Sequence, residues 1–355
     1  MKKEFLTGNE AIVRGALASG AEMLSGYPIT PITEVMYYWA KEKEANPELK
    51  FLQTEDEMAA GFAMIGGVLT GTKAFTATAG PGNVLMQDAF SMAENLRLPT
   101  VAFINQRGGP STGTVIYSQQ EVNLTCFGGN GEGLRIVYSI GSVQEMYDYA
   151  IKAFNTAWKY RFPTFALADG YLAKTTIEIE TYTPEEKNIS TVNTEAYLFG
   201  DKKNKCTNLR NCYNLEIDLN SVIMTSKNEF DRISPEIVEF EEYMTEDADI
   251  VIFAHGIVGA AAREAVKALR KQNVKVGLFR PISLSPFPKD QAKVAALDKK
   301  FILVAESSLG QFEKMVKSNL YGSQIKIETL LNPALGISVE EITEKILELA
   351  TKEQI

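Results

Sequence analysis

Residues 51–67 read FLQTEDEMAAGFAMIGG, and in this stretch three consecutive acids stand directly before a long apolar run. Every residue from 58 to 69 is apolar or glycine, so the sequence predicts a helix that is buried on nearly all sides. Carboxylates at the start of a buried helix lose their hydration, which is costly unless a partner or a ligand uses them. This stretch therefore predicts both a core element and a candidate site.

The three acids, Glu55, Asp56 and Glu57, have two interpretations. Acids in a first turn complement the helix dipole, and Thr54-x-x-Glu57 has the spelling of a capping box. Alternatively, one of the three carboxylates carries chemistry. The letters of this stretch alone favour neither interpretation.

Short apolar strands alternate with helical segments on both sides of this stretch. The apolar runs are rich in Phe, Val and Thr, and the segments between them have helical length and periodicity. This alternation predicts an α/β fold with a doubly wound parallel sheet, which binds ligands at the carboxyl ends of its strands. The predicted strands are residues 49–53, 73–79, 99–105 and 163–169.

The alternation is interrupted once and then resumes. Residues 181–243 are rich in Asn, Lys and Glu with few periodic stretches, which predicts an irregular connector. Strand and helix patterns return after it and predict a smaller α/β domain. The predicted domains are thus residues 1–180 and 244–355, on either side of the connector.

Composition excludes several classes of protein. A formal net charge of −9 over 355 residues argues against a nucleic-acid partner. No run of about 18 apolar residues predicts a membrane span, and the N-terminal residues lack the apolar core of a signal peptide. Cys126, Cys206 and Cys212 form no C-x-x-C pair, so we predict no metal site within this chain. We expect a cytoplasmic protein.

Three loops after predicted strands are candidates for ligand binding. They read GYPITPIT (26–33), TAGPGN (78–83) and NQRGGPSTG (105–113). Each also has a purely structural interpretation: a rigid turn with Thr30 as N-cap, a tight glycine turn, and an ion pair between Arg107 and an acid at 55–57. In the TAGPGN turn, free N–H groups at a helix start suit an anion or a polar ring.

Two further residues receive structural interpretations. Asp169-Gly170 with Asn193 is similar to a pyrophosphate-binding pattern, but position 168 is alanine where glycine is required, so Asp169 is interpreted as a turn residue. His255 is the only histidine and follows a predicted strand of the second domain. A Ser-His-Asp triad with a histidine in the first domain is therefore excluded, and a structural role for His255 is favoured.

These motifs, taken in order, resemble the alpha subunit of 2-oxoacid:ferredoxin oxidoreductases. The likeness rests on GYPITP, QTEDEMAAG, TAGPG and NQRGGPSTG in the first domain. In the second domain it rests on VKVGLFRPISLSPFP (274–288) and VAESSLGQFEKMV (304–316). The resemblance implies a thiamine-diphosphate pyrimidine-binding domain followed by a domain like the C-terminal domain of transketolase.

The resemblance also implies roles for individual residues. The family's catalytic glutamate begins a helix and has a glycine nine residues later, a spacing that Glu57 and Gly66 show. Glu55 and Asp56 would need glycine where the chain has Met64 and Ile65. Glu57 is thus predicted to hydrogen-bond the cofactor's pyrimidine nitrogen. The remaining implied residues are Thr30 and Arg107 for the substrate, and Pro28, Gly80 and Gly82 with Glu57 for the cofactor.

The implied reaction is oxidative decarboxylation of a 2-oxoacid to acyl-CoA and CO2, with electrons passing to ferredoxin. No pyrophosphate motif, cluster ligand or coenzyme A signature is recognisable in the sequence. The resemblance therefore implies a hetero-oligomer in which thiamine diphosphate is shared with a beta subunit. Mg2+ and iron–sulfur clusters would lie in partner subunits, with gamma and delta subunits as further candidates.

Two other functions stay open from the sequence. A non-oxidative thiamine-dependent decarboxylase could use the same first domain, although simple subunits of that type lack the second. The chain could also be a non-catalytic subunit that kept the fold. The joint presence of Thr30, Glu57 and Arg107 argues against the latter.

Overall fold

The structure is a computed structural model that describes residues 1–194 and 207–352. It contains two mostly parallel sheets with helices packed against them, and a two-stranded antiparallel sheet formed by residues 2–7 and 176–181. The helices and parallel sheets confirm the predicted α/β class. The part of the predicted connector from 195 to 206 lies outside the described residues. The described strands are β1 Lys2–Thr7, β2 Met23–Gly26, β3 Lys50–Gln53, β4 Ala74–Thr78, β5 Val101–Gln106, β6 Ile136–Ser139, β7 Thr164–Asp169, β8 Thr176–Thr181, β9 Phe240–Tyr243, β10 Ile250–Phe253, β11 Val276–Pro281, β12 Ser283–Ser285, β13 Phe301–Glu306 and β14 Lys326–Leu331.

Helices fill most of the segments between these strands, as the alternating pattern predicts. The described helices are α1 Gly8–Ala18, α2 Thr33–Ala45, α3 Glu57–Leu69, α4 Pro81–Leu85, α5 Gln87–Asn95, α6 Val122–Phe127, α7 Val143–Tyr160, α8 Gly170–Lys174, α9 Glu216–Ile237, α10 Gly256–Arg270, α11 Lys289–Ala296, α12 Gln311–Asn319 and α13 Val339–Lys352.

The larger sheet has seven strands in the order β12-β6-β7-β5-β4-β2-β3. Six of them are parallel, and β12 pairs antiparallel with β6 at one edge. The central strands β4, β5 and β7 are buried along their whole length, because helices cover both faces. The apolar runs that predicted these strands thus form the core of the sheet.

The smaller sheet has five strands in the order β14-β13-β10-β11-β9, and only β9 is antiparallel. Each sheet therefore takes a strand from outside its predicted domain. β12 comes from the second half and joins the first sheet, whereas β9 precedes residue 244 and joins the second. The domain boundaries themselves stay a prediction.

The two halves are joined by an ion pair between the buried Arg280 and the half-buried Glu145. Arg280 of β11 donates through Nη1 and Nη2 to the two carboxylate oxygens of Glu145 on α7. The sequence LFRPIS places this arginine in a buried strand, where an unpaired charge would be costly. The pairing therefore fixes the second sheet against the first.

The prediction of an irregular connector is wrong for residues 216–237, which form the 22-residue helix α9. Only Ser226, Phe230, Ile233 and Ile237 of this helix are buried, so its apolar stripe is one residue wide. Phe230 packs edge-on against Phe162 of the first half, with ring centroids 5.2 Å apart. Such a narrow stripe is hard to recognise as a helix because most of its positions are polar.

Candidate active site

The predicted loops meet at one edge of the larger sheet. Strands β5, β4, β2 and β3 are consecutive neighbours in that sheet and run parallel. Their carboxyl ends therefore lie side by side, and each is followed by one of the loops singled out in the sequence. This edge is where a parallel sheet binds ligands.

Glu57 is the first residue of α3, and only 5% of it is exposed. Burial raises the pKa of its carboxyl group, while the positive charge of Arg107 acts more weakly in the opposite direction. Within the described part of the chain, only its own backbone N–H is positioned to donate a hydrogen bond to this carboxylate. The carboxylate is therefore desolvated but still has acceptor capacity.

The neighbouring acids have different surroundings. The Asp56 side chain accepts a hydrogen bond from the backbone N–H of Ala59 at 2.7 Å and is the N-cap of α3. Glu55 is exposed. The capping-box interpretation is wrong, because Thr54 donates its hydroxyl to the Asp56 carbonyl and precedes the N-cap position. Asp56 therefore caps α3, and the Glu57 side chain takes no part in capping.

A glycine turn separates Glu57 from Arg107. A Cβ atom on Gly80 would lie 2.8 Å from Arg107 Nε, and one on Gly82 would lie 2.8 Å from Glu57 Oε1. Gly80 has a φ of 50°, which also favours glycine. The turn therefore brings its backbone against the side chains of both Glu57 and Arg107. Its N–H groups are not all free as predicted, since Gly80 donates to Glu121 and Gly82 donates to the Ala79 carbonyl.

Arg107 follows β5 and is 6% exposed. Its Nη1 donates to the Thr30 carbonyl oxygen at 2.8 Å, whereas Nε is buried without a hydrogen-bond partner. Among the described residues it forms no ion pair with Glu55, Asp56 or Glu57, so the ion-pair interpretation is wrong. A guanidinium with an unused donor is poised to bind an anion.

Thr30 and Pro28 both lie in the exposed loop after β2. The contact between Thr30 and Arg107 joins this loop to the one after β5. Thr30 is not the N-cap of α2, because that helix begins at Thr33 with Ile32 as its N-cap. The structure thus brings Thr30, Arg107, Gly80, Gly82 and Glu57 into one continuous cluster. Pro28 is exposed two residues before Thr30 in the same loop, and the roles of all six residues stay predictions.

One buried acid of this cluster was missed in the sequence. Glu121 is 4% exposed and accepts hydrogen bonds from the backbone N–H groups of Gly80 and Arg107 and from the Asn83 side chain. Burial raises the pKa of its carboxyl group. A signal for it does exist, because Glu121 is the sole charged residue between 108 and 131.

Helix α3 carries an exposed apolar stripe beside the cluster. Met58 is 41% exposed and Phe62 is 36% exposed, and Gly66 continues the same face. On α4, Val84 and Leu85 are also exposed. The prediction that α3 is buried on nearly all sides is therefore wrong for this face. An apolar composition does not indicate which side of a helix packs against residues of its own chain.

Glu306 and His255 of the second half both make buried contacts within this chain. Glu306 is buried at the end of β13 and accepts hydrogen bonds from the N–H groups of Phe312 and Glu313 at the start of α12. His255 is fully buried, and its Nδ1 lies 2.8 Å from the Ser139 hydroxyl oxygen. Burial lowers the pKa of His255 to about 3, which keeps it neutral.

Asp169 of the first half caps α8, as expected of a strand-end turn residue.

Two family models cover most of the chain. The model described as "Pyruvate flavodoxin/ferredoxin oxidoreductase, thiamine diP-bdg" matches residues 14–249. The chain belongs to the family of 2-oxoacid:ferredoxin oxidoreductase subunits. The model of pyruvate:ferredoxin oxidoreductase core domain II matches residues 248–343. The resemblance inferred from the motifs is confirmed.

Curated relatives of this oxidoreductase subunit match nearly end to end. Ketoisovalerate oxidoreductase subunit VorB of Methanothermobacter thermautotrophicus is 32% identical over 352 residues, covering 99% of both chains. 2-Oxoglutarate synthase subunit KorA of Methanocaldococcus jannaschii is 35% identical over 335 residues, covering 88% of this chain and 90% of the relative. These two relatives are named for different 2-oxoacids.

Solved structures agree on the fold. A 2-oxoglutarate:ferredoxin oxidoreductase from Magnetococcus marinus, with 2-oxoglutarate, coenzyme A and succinyl-CoA bound, superposes with a TM-score of 0.87 at 26% identity. The match covers 98% of this chain and 65% of that one. A split-gene transketolase, 15% identical with a TM-score of 0.61, shares the fold, which confirms the predicted fold class. None of the helices described for this subunit is long and apolar enough to cross a membrane.

Proposed function

We propose that this chain supplies half of the active site of a 2-oxoacid:ferredoxin oxidoreductase that forms acyl-CoA and CO2 and reduces ferredoxin. The observation that carries the proposal is the Glu57 carboxylate, which is buried, accepts nothing from another described residue and faces the glycine turn. The match to a thiamine-diphosphate-binding family model supports the same reading.

The residues of the cluster fit the pyrimidine end of thiamine diphosphate. A ring nitrogen with a proton to share suits a desolvated carboxylate, and Gly82 keeps side-chain bulk away from Glu57. When bound, this cofactor supplies a carbon nucleophile that attacks the keto carbon of a 2-oxoacid and accepts the electrons released by decarboxylation. Glu57 would hold the proton at pyrimidine N1′, because burial favours sharing a proton over a bare charge.

Arg107 and Thr30 would bind the substrate. The guanidinium donates through Nη1 to the Thr30 carbonyl, and its buried Nε has no hydrogen-bond partner among the described residues. A rigidly held arginine suits the carboxylate of a 2-oxoacid because its planar fork matches two oxygens. Thr30 lies in the exposed loop next to this guanidinium, so its hydroxyl can reach the same substrate.

A beta subunit would complete the site. The apolar stripe of Met58 and Phe62 leaves a hydrophobic face next to Glu57, as expected at a subunit interface. Gly66 supports this proposal, since a Cβ atom there would meet no described residue within 4 Å. A helix position with such space would be expected to avoid glycine, which costs about 1 kcal/mol relative to alanine. The close approach of another subunit would account for that glycine. The diphosphate, Mg2+ and clusters would then lie with the partner subunits, and the cytoplasmic location stays a prediction.

Calorimetry of cofactor binding tests the half-site. We expect the isolated chain to bind thiamine diphosphate weakly or not at all, and the complex with its beta subunit to bind it tightly with Mg2+. Tight stoichiometric binding by the isolated chain would contradict the proposal.

An activity assay tests the reaction. The assembled enzyme should reduce ferredoxin with 2-oxoisovalerate, 2-oxoglutarate or pyruvate, and the reduction should depend on coenzyme A. Release of an aldehyde without coenzyme A dependence would instead identify a non-oxidative decarboxylase. No turnover of any 2-oxoacid by a complex that binds the cofactor would indicate a non-catalytic subunit.

A further inference from the structure

Glu121 connects two loops of the proposed site through one oxygen atom. Its Oε1 lies 2.8 Å from the backbone nitrogen of Gly80 and 3.1 Å from that of Arg107. Its Oε2 lies 2.9 Å from Nδ2 of Asn83, in the helix that follows the glycine turn. The carboxylate therefore fixes the distance between the turn after β4 and the end of β5.

That distance determines where the Arg107 guanidinium lies. The side chain of Arg107 packs over Gly80 so closely that a Cβ atom there would be 2.8 Å from Nε. If the turn moved relative to β5, the guanidinium would lose either this packing or its hydrogen bond to the Thr30 carbonyl. Such a displacement of the guanidinium would weaken substrate binding, because its N–H groups must align with both oxygens of the substrate carboxylate.

The second half of the chain holds Glu121 in place. Two residues earlier, Gln119 exchanges hydrogen bonds with the backbone of Ser307 and donates through Nε2 to the His255 carbonyl at 2.9 Å. All three of these residues are buried. Gln311 also donates to the Gln120 carbonyl at 2.7 Å. The segment that carries Glu121 is thus attached to the loops after β10 and β13.

We propose that Glu121 is a positioning residue that sets the Arg107 guanidinium for the substrate carboxylate, with the second half of the chain as its support. This inference rests on the proposed function, because it assigns Arg107 to the substrate. Glu121 itself lies behind the turn and needs no contact with either ligand.

The contacts at position 121 require a side chain that accepts hydrogen bonds. The three groups facing the carboxylate are all donors, namely two backbone N–H groups and the Asn83 amide. A carboxylate offers only acceptors, whereas a glutamine would turn an N–H2 group toward one of these donors. Glu121→Gln therefore removes one contact and weakens the others without changing the side-chain size.

The first test is the kinetics of Glu121→Gln in the assembled enzyme, using whichever of 2-oxoisovalerate, 2-oxoglutarate and pyruvate the native enzyme turns over best. We expect the KM for that acid to rise about tenfold and kcat to change less than about threefold, because carboxylate binding is used throughout the reaction. An unchanged KM in a folded variant would overturn the proposal.

A double-mutant cycle separates positioning from general stabilisation. If Glu121 acts through Arg107, adding Glu121→Gln to Arg107→Ala should change KM by less than about twofold. A full additional tenfold increase would overturn the positioning role but leave the proposed function intact. If Arg107→Ala alone leaves KM unchanged, the substrate assignment and the positioning role both fail, which distinguishes the two failures.

Glu94→Gln is the matched control. Glu94 is also buried and accepts from the N–H groups of Glu132 and Leu134 and from Arg135, none of which belongs to the site. We expect this variant to lower Tm and leave KM unchanged, and an equal rise in KM would overturn the proposal. Should Glu121→Gln fail to fold, Asn83→Ala removes one donor to Glu121, and a KM increase of about threefold is expected. An unchanged KM there would overturn the proposal as well.

Discussion

Helices α3 and α6 start at the same edge of the larger sheet, and each has a buried glutamate at its start. The two glutamates have different hydrogen-bond partners. Glu121 at the start of α6 accepts hydrogen bonds from three groups. Glu57 at the start of α3 accepts none from another residue in the described part of the chain. Burial raises the pKa of both carboxyl groups.

The difference separates a structural acid from one available to a ligand. Buried polar groups in proteins are nearly always hydrogen-bonded, so a carboxylate whose donors are all internal is explained by the fold. A carboxylate that is desolvated without such donors calls for a partner outside the chain. Burial and pKa direction therefore do not distinguish Glu57 from Glu121, whereas their hydrogen-bond partners do.

Glu57→Gln should have the largest effect. A neutral amide cannot hold the proton at the pyrimidine nitrogen, so deuterium exchange at the thiazolium C2 of bound thiamine diphosphate should slow by orders of magnitude in the assembled enzyme. The fold should be retained, because glutamine has the same size and the Glu57 carboxylate accepts no hydrogen bond from another described residue. Thermal unfolding measured beside the exchange rate serves as the control.

Two results would contradict this assignment. A nearly silent Glu57→Gln would mean that the free carboxylate has no role in cofactor activation. Collapse of exchange in Glu55→Gln, with Glu57→Gln active, would show that the nine-residue spacing to Gly66 selects the wrong acid.

Arg107→Ala should have the next largest effect. Losing a charge-assisted contact to the substrate should lower kcat/KM by about 2–4 kcal/mol of transition-state binding, with cofactor affinity nearly unchanged. Arg107→Lys keeps the charge but not the fork, and should recover only part of the loss. Steady-state kinetics with the preferred 2-oxoacid, together with calorimetry of cofactor binding, measures both quantities.

The opposite pattern would count against the substrate role. If Arg107→Ala keeps native kinetics and lowers the Tm of the assembled enzyme, its hydrogen bond to Thr30 is a structural contact only.

Much of this site could be predicted because its residues stand next to elements with strong patterns. The strands at 73–79, 99–105 and 163–169 are apolar and buried, whereas the edge strand at 49–53 is mostly exposed. All four run parallel, so the residues that follow them share an edge of the sheet. Gly80 and Gly82 predicted a tight turn, and the structure shows the backbone of this turn close to the side chains of Glu57 and Arg107. Local sequence therefore contained the fold class and the position of the cluster.

Glu121 and β12 were not predicted because their partners are distant in sequence. The donors to Glu121 come from residues 80, 83 and 107. In β12, Ser283 pairs with Tyr138 of β6, which is about 145 residues earlier in the chain. Neither feature has a local period that would indicate its partner. The exposed face of α3 escaped for another reason, since apolar residues look alike whether their own chain or a second subunit covers them.

Asp169 sharpens the comparison as a third buried carboxylate at the same edge. It accepts hydrogen bonds from the N–H groups of Tyr171 and Leu172, yet burial raises its pKa to about 7. A folded pKa above the unfolded value means that the folded state binds the proton more tightly. Its contribution is therefore present at acidic pH and is lost as the pH rises toward 7, at about 1.4 kcal/mol per pH unit.

The measurement is the free energy of unfolding of the native protein and Asp169→Asn between pH 4 and pH 8. Asparagine can cap α8 without titrating, so the native protein should lose stability relative to the variant up to about pH 7 and then run parallel to it. Parallel curves over the whole range would show that the hydrogen bonds keep Asp169 ionised.

The smallest effects are expected from the two acids beside Glu57. Asp56→Ala removes the N-cap of α3 and should cost about 1 kcal/mol in the free energy of unfolding, with little change in C2 exchange. Glu55→Gln alters an exposed side chain and should stay within about 0.5 kcal/mol of the native protein. Three consecutive acids would then have three separate roles, namely solvation, capping and catalysis. If Asp56→Ala slowed C2 exchange as strongly as Glu57→Gln, exchange would depend on the whole first turn of α3. The lack of hydrogen-bond donors to Glu57 would then not explain why α3, and not α6, carries the catalytic acid.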